Sequence, residues 1–259
     1  MQLSDAVDAI RPSVVQIGIS QSGGPLSGDA TLGTGFLVTT TVVVTAKHVV
    51  DAVAAGQTLN VGFAAPSIDS AVMRIRAGFF RSGGNVIAEA PEHDLALIDV
   101  ERAVQMASQV VWGDQNVQLL PRPARLARGT LREGTAIAIS GYPLNEPSLV
   151  TTGGVLASSF SHVHEAGRSE ERHLGDITAN PGNSGGPVYR VADASVVGVC
   201  VGGRLAPVTG GEGLHHAAGL TIIVPVAEVL GLLEREGIKP NVPTVLSRSG
   251  GRKKRNRGR

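Results

Sequence analysis

Short runs of alternating apolar and polar residues, separated by glycine, proline and small polar residues, fill most of this chain. A two-residue period puts successive side chains on opposite faces of an extended backbone, so each run reads as a half-buried strand. In the first half the runs fall at 13–20, 35–38, 42–45, 59–63, 71–77 and 95–100, with a Gly-rich loop over 22–33. In the second half they fall at 136–141, 149–158, 185–189, 196–202 and 219–224. The polar stretch 103–122 reads as the crossover between the halves. Strands at this spacing, with turn signals between them, predict an all-β sandwich or barrel and not alternating β and α units.

Three segments read as helix. Residues 3–10 form a short one, with Ser4 as its expected cap and Pro12 as its stop. Residues 46–55 suit one or two turns that open at His48. The last, 226–236, starts after Pro225 and ends at Gly237. Its Val226, Val229, Leu230, Leu232 and Leu233 make one apolar stripe for packing on the second half.

Composition narrows this picture. At 259 residues and 42% hydrophobic content the chain can bury a sizeable core, but 3% aromatic content means that aliphatic residues must build it. No apolar run approaches the roughly 20 residues that a membrane-spanning helix needs. The start, Met1-Gln2-Leu3-Ser4-Asp5-Ala6, lacks the basic and apolar regions of a secretory leader, so a cytoplasmic location is expected. Cys200 is the single cysteine, which excludes an intrachain disulfide and a cysteine-based zinc site. It lies in the run Val196-Val197-Gly198-Val199-Cys200-Val201 and is expected to be a small core residue.

The net charge of +1 conceals an uneven distribution. Seven basic residues and no acid lie from Arg248 onward, leaving 16 basic against 22 acidic residues in the body of the chain. The tail Arg252-Lys253-Lys254-Arg255-Asn256-Arg257-Gly258-Arg259 has no apolar face, so disorder is expected there, and contact with an anionic partner is its functional reading.

Three segments carry chemistry. Asn180-Pro181-Gly182-Asn183-Ser184-Gly185-Gly186-Pro187 frames a serine with glycines, as an exposed nucleophile on a sharply turned backbone requires. The same residue types also populate ordinary surface turns. Upstream, Thr45-Ala46-Lys47-His48 and His93-Asp94-Leu95-Ala96-Leu97 supply a base and a carboxylate, giving the order His, Asp, Ser. Asp94 is preferred over Asp51, which is too close to His48 along one helical turn, and over Glu92, which lacks the strand immediately after it. Strict alternation along 95–100 would put Asp99 and Asp94 on opposite faces. Gly182 can take positive φ, letting its own N–H and that of Ser184 converge on an oxyanion, with Asn183 between them.

With these motifs the chain resembles the trypsin-like, chymotrypsin-fold serine proteases, and within them the HtrA/Deg branch. Arg11-Pro12-Ser13-Val14-Val15, Gly141-Tyr142-Pro143, Val150-Thr151-Thr152-Gly153-Gly154-Val155 and Gly219-Leu220-Thr221-Ile222-Ile223-Val224-Pro225 extend the resemblance over about residues 11–235. It implies two six-stranded antiparallel β-barrels, at about 13–110 and 120–225, in one protease domain over 1–240, then a linker and basic tail over 241–259. It implies a serine endopeptidase with His48, Asp94 and Ser184 in the groove between the barrels and Gly182, Asn183 and Ser184 at the oxyanion hole. Thr178 would lie at the base of the specificity pocket, and Val201, Gly202 and Gly203 along the substrate strand. Since Thr178 is not acidic, small or medium apolar residues are expected before the cut bond.

The chain also departs from relatives. Asn183 stands where digestive members of the family carry the aspartate that pairs with a freed N-terminus, and no Arg-Ile-Val-Gly-Gly-type activation sequence is present. Control is therefore expected from loops at 144–148 and 160–174. No PDZ module is expected after the protease. His162, His164 and His173 share a segment with Glu165, Glu170 and Glu171, and His215 is next to His216. Their spacing is loose for zinc, so they read as solvated residues; no metal or cofactor is expected. The competing reading is a degenerate protease fold that binds peptides as a chaperone module.

Overall fold

The computed structural model describes the whole chain except residues 21–29, 55–56, 64–72, 80–84, 109–110, 113–116, 119–120, 130, 166–167, 208–214 and 241–259. The basic tail, most of the Gly-rich loop and the start of the 71–77 run lie outside the described residues.

Helix α1, Leu3–Ile10, buries Ala6 and Ile10, one turn apart. Its cap is Gln2 and not Ser4, because the Asp5 carboxylate accepts a hydrogen bond from the Gln2 N–H at 3.0 Å and draws the helix start two residues back. Arg11–Ser13 then form a 3-10 turn, in which the Ser13 hydroxyl donates to Ile10 O at 2.6 Å.

The N-terminal unit comprises β1 Val14–Ser20, β2 Ala30–Leu37, β3 Val42–Ala46, β4 Thr58–Phe63, β5 Met73–Phe79, β6 Val86–Ala90 and β7 Leu95–Asp99, with helix α2, Lys47–Asp51, between β3 and β4. They make one antiparallel seven-stranded sheet in the order β5-β4-β1-β2-β3-β7-β6. Sequence reading missed β6, a short strand whose burial alternates down to Ala90. The crossover is more structured than its polarity implied. It holds α3, Glu101–Ser108, and the paired strands β8 Val111–Trp112 and β9 Val117–Gln118. Asp99 Oδ1 accepts from the Glu101 N–H at 2.9 Å and so starts α3.

The C-terminal unit is a closed six-stranded barrel. Its strands are β10 Ala136–Gly141, β11 Val150–Glu165, β12 Arg168–Asp176, β13 Pro187–Arg190, β14 Val196–Pro207 and β15 His215–Pro225, followed by helix α4, Val226–Arg235. The polar segment expected to be a loop at 160–174 belongs to β11 and β12, which pair from Val155↔Asp176 out to Glu165↔Arg168. The ribbon continues two barrel strands and its residues are mostly polar or charged, so this stretch shows no apolar face for sequence patterning to detect.

Two aliphatic cores form. One lies within the N-terminal sheet and includes Val15, Ile17, Leu37, Val43, Ala96 and Ile98. The larger runs through the barrel to α1 and α4. Strand β7 feeds both, Leu95 and Leu97 into the larger and Ala96 and Ile98 into the smaller. No helix among the described residues is long and apolar enough to cross a membrane.

Candidate active site

Strand register brings the base and carboxylate segments together. β3 and β7 are antiparallel with Ala46 opposite Leu95, so the residues just after Ala46 face those just before Leu95. There the Asp94 carboxylate holds His48 at two points: Oδ1 accepts from the His48 N–H at 2.9 Å and Oδ2 meets ring Nδ1 at 2.6 Å. The Asp94 carbonyl accepts from the Lys47 N–H at 2.9 Å. A carboxylate only accepts, so Nδ1 carries the ring proton and Nε2 is the ring's acceptor nitrogen. Asp94 precedes β7 in a turn and has φ 55°, so the alternation expected along the strand does not orient it; the left-handed backbone does. The rival carboxylates are engaged elsewhere. Asp51 pairs with Lys47 at 2.7 Å, Glu92 with Arg235 at 3.2 Å, and Asp99 caps α3.

The serine turn is built just as tightly. Gly182 and Gly185 have φ of 100° and 84°. A methyl group on Gly182 would strike Tyr142 O, and one on Gly185 would strike Thr34 O and Thr45 Oγ1 and come within 2.8 Å of Ala46 N. The turn bearing Ser184 therefore stacks against the strand end that leads into His48. Asn183 N–H donates to Asn180 O at 2.9 Å, so this amide belongs to the turn and is not free for an oxyanion. Neither the Gly182 nor the Ser184 N–H has an intrachain acceptor among the described residues. Leu144 N–H donates to Pro181 O at 2.8 Å, and because a trans peptide opposes its C=O and N–H, this turns the Gly182 N–H the other way. The Ser184 hydroxyl makes no hydrogen bond among the described residues. The ring–hydroxyl bond of such sites often tightens only when substrate binds.

Thr34, on β2, is a residue that sequence reading missed. It is fully buried. Its N–H donates to Ser184 O at 2.8 Å, and its hydroxyl donates to Gly182 O at 2.7 Å while accepting from Tyr142 N–H at 3.1 Å. Its carbonyl accepts from the Thr45 hydroxyl at 2.7 Å. The available signal was a hydroxyl residue between Gly33 and Gly35, just before the apolar end of the strand.

The expected specificity residues are brought close to one another. A methyl group on Gly203 would lie 3.8 Å from Ala179 O, next to Thr178, and one on Gly202 would meet open space. Thr178 is exposed, and its carbonyl accepts from the Thr152 hydroxyl at 2.9 Å. Val201 is half-buried against both cores. Among the described residues no three His, Cys, Asp or Glu side chains are grouped to hold a metal. His173 Nδ1 lies 2.8 Å from Ser159 O, and burial pulls the ring below the usual histidine range. Cys200 is buried, and burial pushes its thiol up to about 12, so it stays protonated and unreactive.

A family model described as a trypsin-like peptidase domain matches residues 33–199. No curated protein matches the chain in sequence. Among solved structures, the Rv3671c protease of M. tuberculosis in its active form is similar in fold, with TM-score 0.61, 21% identity, and coverage of 92% of this chain and 86% of that one. Its inactive form gives TM-score 0.60 at 20% identity, covering 90% and 93%. The HtrA-type protease AlgW, in a variant bound to a tripeptide, gives TM-score 0.61 at 17% identity, covering 90% of this chain and 63% of that one.

Proposed function

The chain belongs to the trypsin-like peptidase family, and from that premise we propose that it hydrolyses internal peptide bonds through His48, Asp94 and Ser184. The observation that carries this reading is the two-point hold of the Asp94 carboxylate on His48. It fixes the ring's orientation and its tautomer and can stabilise the imidazolium once formed. His48 Nε2 would take the Ser184 hydroxyl proton as the oxygen attacks the carbonyl carbon. The carbonyl electrons would move onto the oxygen, facing the N–H groups of Gly182 and Ser184. Collapse would expel the amine, which takes the proton from Nε2 and leaves an acyl-enzyme. Water would then repeat the sequence and free the acid. One such N–H typically contributes about 2.7–4 kcal/mol to transition-state stability.

Open space beside Gly202 favours an extended substrate backbone along β14, and the absence of an acid at Thr178 favours apolar residues before the cut bond. The unit doing this would span residues 1–240.

A fluorophosphonate probe, which bonds to an activated serine oxygen with loss of fluoride, tests the reading. The wild type should be labelled at Ser184, Ser184→Ala should not be, and Asp94→Asn should slow turnover of a peptide substrate by about 10⁴-fold. A folded wild type that never labels would leave a peptide-binding fold as the better account.

A further inference from the structure

The Asp94 turn, residues 91–94, is poorly held by its own backbone. His93 N–H donates to Ala90 O at 3.0 Å, and Asp94 N–H reaches Pro91 O only at 3.3 Å. Asp94 is nonetheless kept at φ 55°, a conformation that L residues disfavour and that persists when the surroundings impose it. Asp94 itself is held from the end of β3 and the start of α2, through Lys47 and His48, and α4 braces the two residues before it.

Glu228 Oε2 of α4 lies 3.0 Å from His93 Nε2. Seven residues on, close to two turns later and so on the same helix face, Arg235 Nη1 donates to Glu92 Oε1 at 3.2 Å. From β12, the almost fully buried Arg172 extends Nη2 to the Glu92 carbonyl at 3.4 Å. The inner face of α4 presses Val229, Leu232 and Leu233 into the core cluster that also contains Ala90 and Leu95, the residues flanking the turn. The His93 ring depends on Glu228 for its hold, since its Nδ1 is buried without a partner among the described residues. The Arg235–Glu92 pair is about half exposed on each side, so its contribution to stability is small and its value is geometric.

We propose that α4 positions the catalytic carboxylate, with Glu228 acting through His93 and Arg235 through Glu92 to hold the turn that presents Asp94 to His48. Glu228 is thus a positioning residue, on the last helix of the described chain and far along it from His48 and Asp94. This rests on the assignment of His48, Asp94 and Ser184 above.

Two readouts separate the proposal from that assignment. The first is the far-downfield proton resonance of His48 Nδ1–H, recorded in Ser184→Ala, where reactivity plays no part. The second is the rate of fluorophosphonate labelling, with kcat and KM on a peptide substrate. Glu228→Ala should shift or broaden the resonance and lower both kcat and the labelling rate by about tenfold to a hundredfold, with KM nearly unchanged. Glu228→Gln keeps an acceptor for His93 and should restore most of both. If Glu228→Ala does not fold, Arg235→Glu should weaken the same readouts, and adding Glu92→Arg should recover them. Wild-type resonance and labelling in folded Glu228→Ala, or equal damage in the Gln variant, would overturn the proposal. In the exchange series, wild-type readouts in folded Arg235→Glu, or no recovery in the double variant, would do the same. A wild type that fails to label would sink the hydrolytic assignment alone, leaving the resonance to decide on the helix.

Discussion

Thr34 shows how one side chain can set the geometry of groups it never reacts with. Its hydroxyl both donates to Gly182 O and accepts from Tyr142 N–H, while its own N–H and carbonyl reach Ser184 O and the Thr45 hydroxyl. Every one of its polar atoms is thereby used, at a site closed to water. Thr34→Val keeps the shape but strands a buried carbonyl and a buried N–H, and each orphaned group costs about 1–3 kcal/mol. We expect urea denaturation to show a loss of about 2–4 kcal/mol, and probe labelling of Ser184 to fall at least about tenfold because the Gly182 peptide is no longer tethered. Thr34→Ser should retain most of both. Normal labelling in a destabilised Thr34→Val would mean that the glycine turn holds its own shape. Little of this was legible in the sequence. The residue types of the site could be read because chemistry restricts them: a serine among glycines, a histidine after a β-rich run, an aspartate before a strand. Thr34 could not, since its role depends on which strand ends the fold brings within reach.

Elements became legible according to how many faces they bury. Strands β3 and β7 stand out through the aliphatic runs 42–44 and 95–98, because both faces of each strand are covered, one by each core. The outer part of the β11–β12 hairpin was hidden, being polar and held by its ladder. The turn before β7 was hidden for another reason: a positive φ at Asp94 leaves no trace in hydrophobic patterning. The β13–β14 hairpin gives this level a test. Its turn is closed by Asp193, which accepts from Arg190 Nη2 at 2.5 Å and from the buried Ser195 hydroxyl at 2.6 Å. Partial burial pushes the carboxyl up, but the hydrogen bonds from Arg190 and Ser195 outweigh this and bring it down from 3.8 to about 2. An acid whose folded pKa is depressed gives stability that is complete above its unfolded value and is lost as pH falls through the folded one. Asp193 should therefore contribute fully above about pH 4 and lose that contribution towards pH 2. Asp193→Asn should flatten the fall in urea midpoint across this window. An unchanged slope would show that the turn is insensitive to its charge.

The whole molecule has an opposite, alkaline weakness, and it lies in the barrel. Tyr142, Tyr189 and Cys200 all belong to the larger core, and burial raises all three pKa values, that of Cys200 to about 12. Each is neutral in the folded chain and ionises sooner when unfolded. Above about pH 9–10 the unfolded state thus binds fewer protons than the native state, and stability falls as pH rises. The N-terminal core contains none of the three, so unfolding at high pH should begin from the barrel. Because α4 packs on that same barrel core, the turn carrying Asp94 should loosen with it, and activity should be lost together with barrel structure. Tyr142 provides the sharpest test, for its hydroxyl is buried without a partner among the described residues. Burying a hydroxyl unpaired costs about 1–3 kcal/mol, so Tyr142→Phe should not destabilise at pH 7 and should gain up to about 1 kcal/mol. Denaturant titrations from pH 7 to 11 should show that gain widening, with a shallower alkaline fall than in wild type. A Phe variant that is weaker at pH 7, with an unaltered alkaline slope, would mean that the hydroxyl is satisfied by a buried water and that the barrel's alkaline sensitivity has another source.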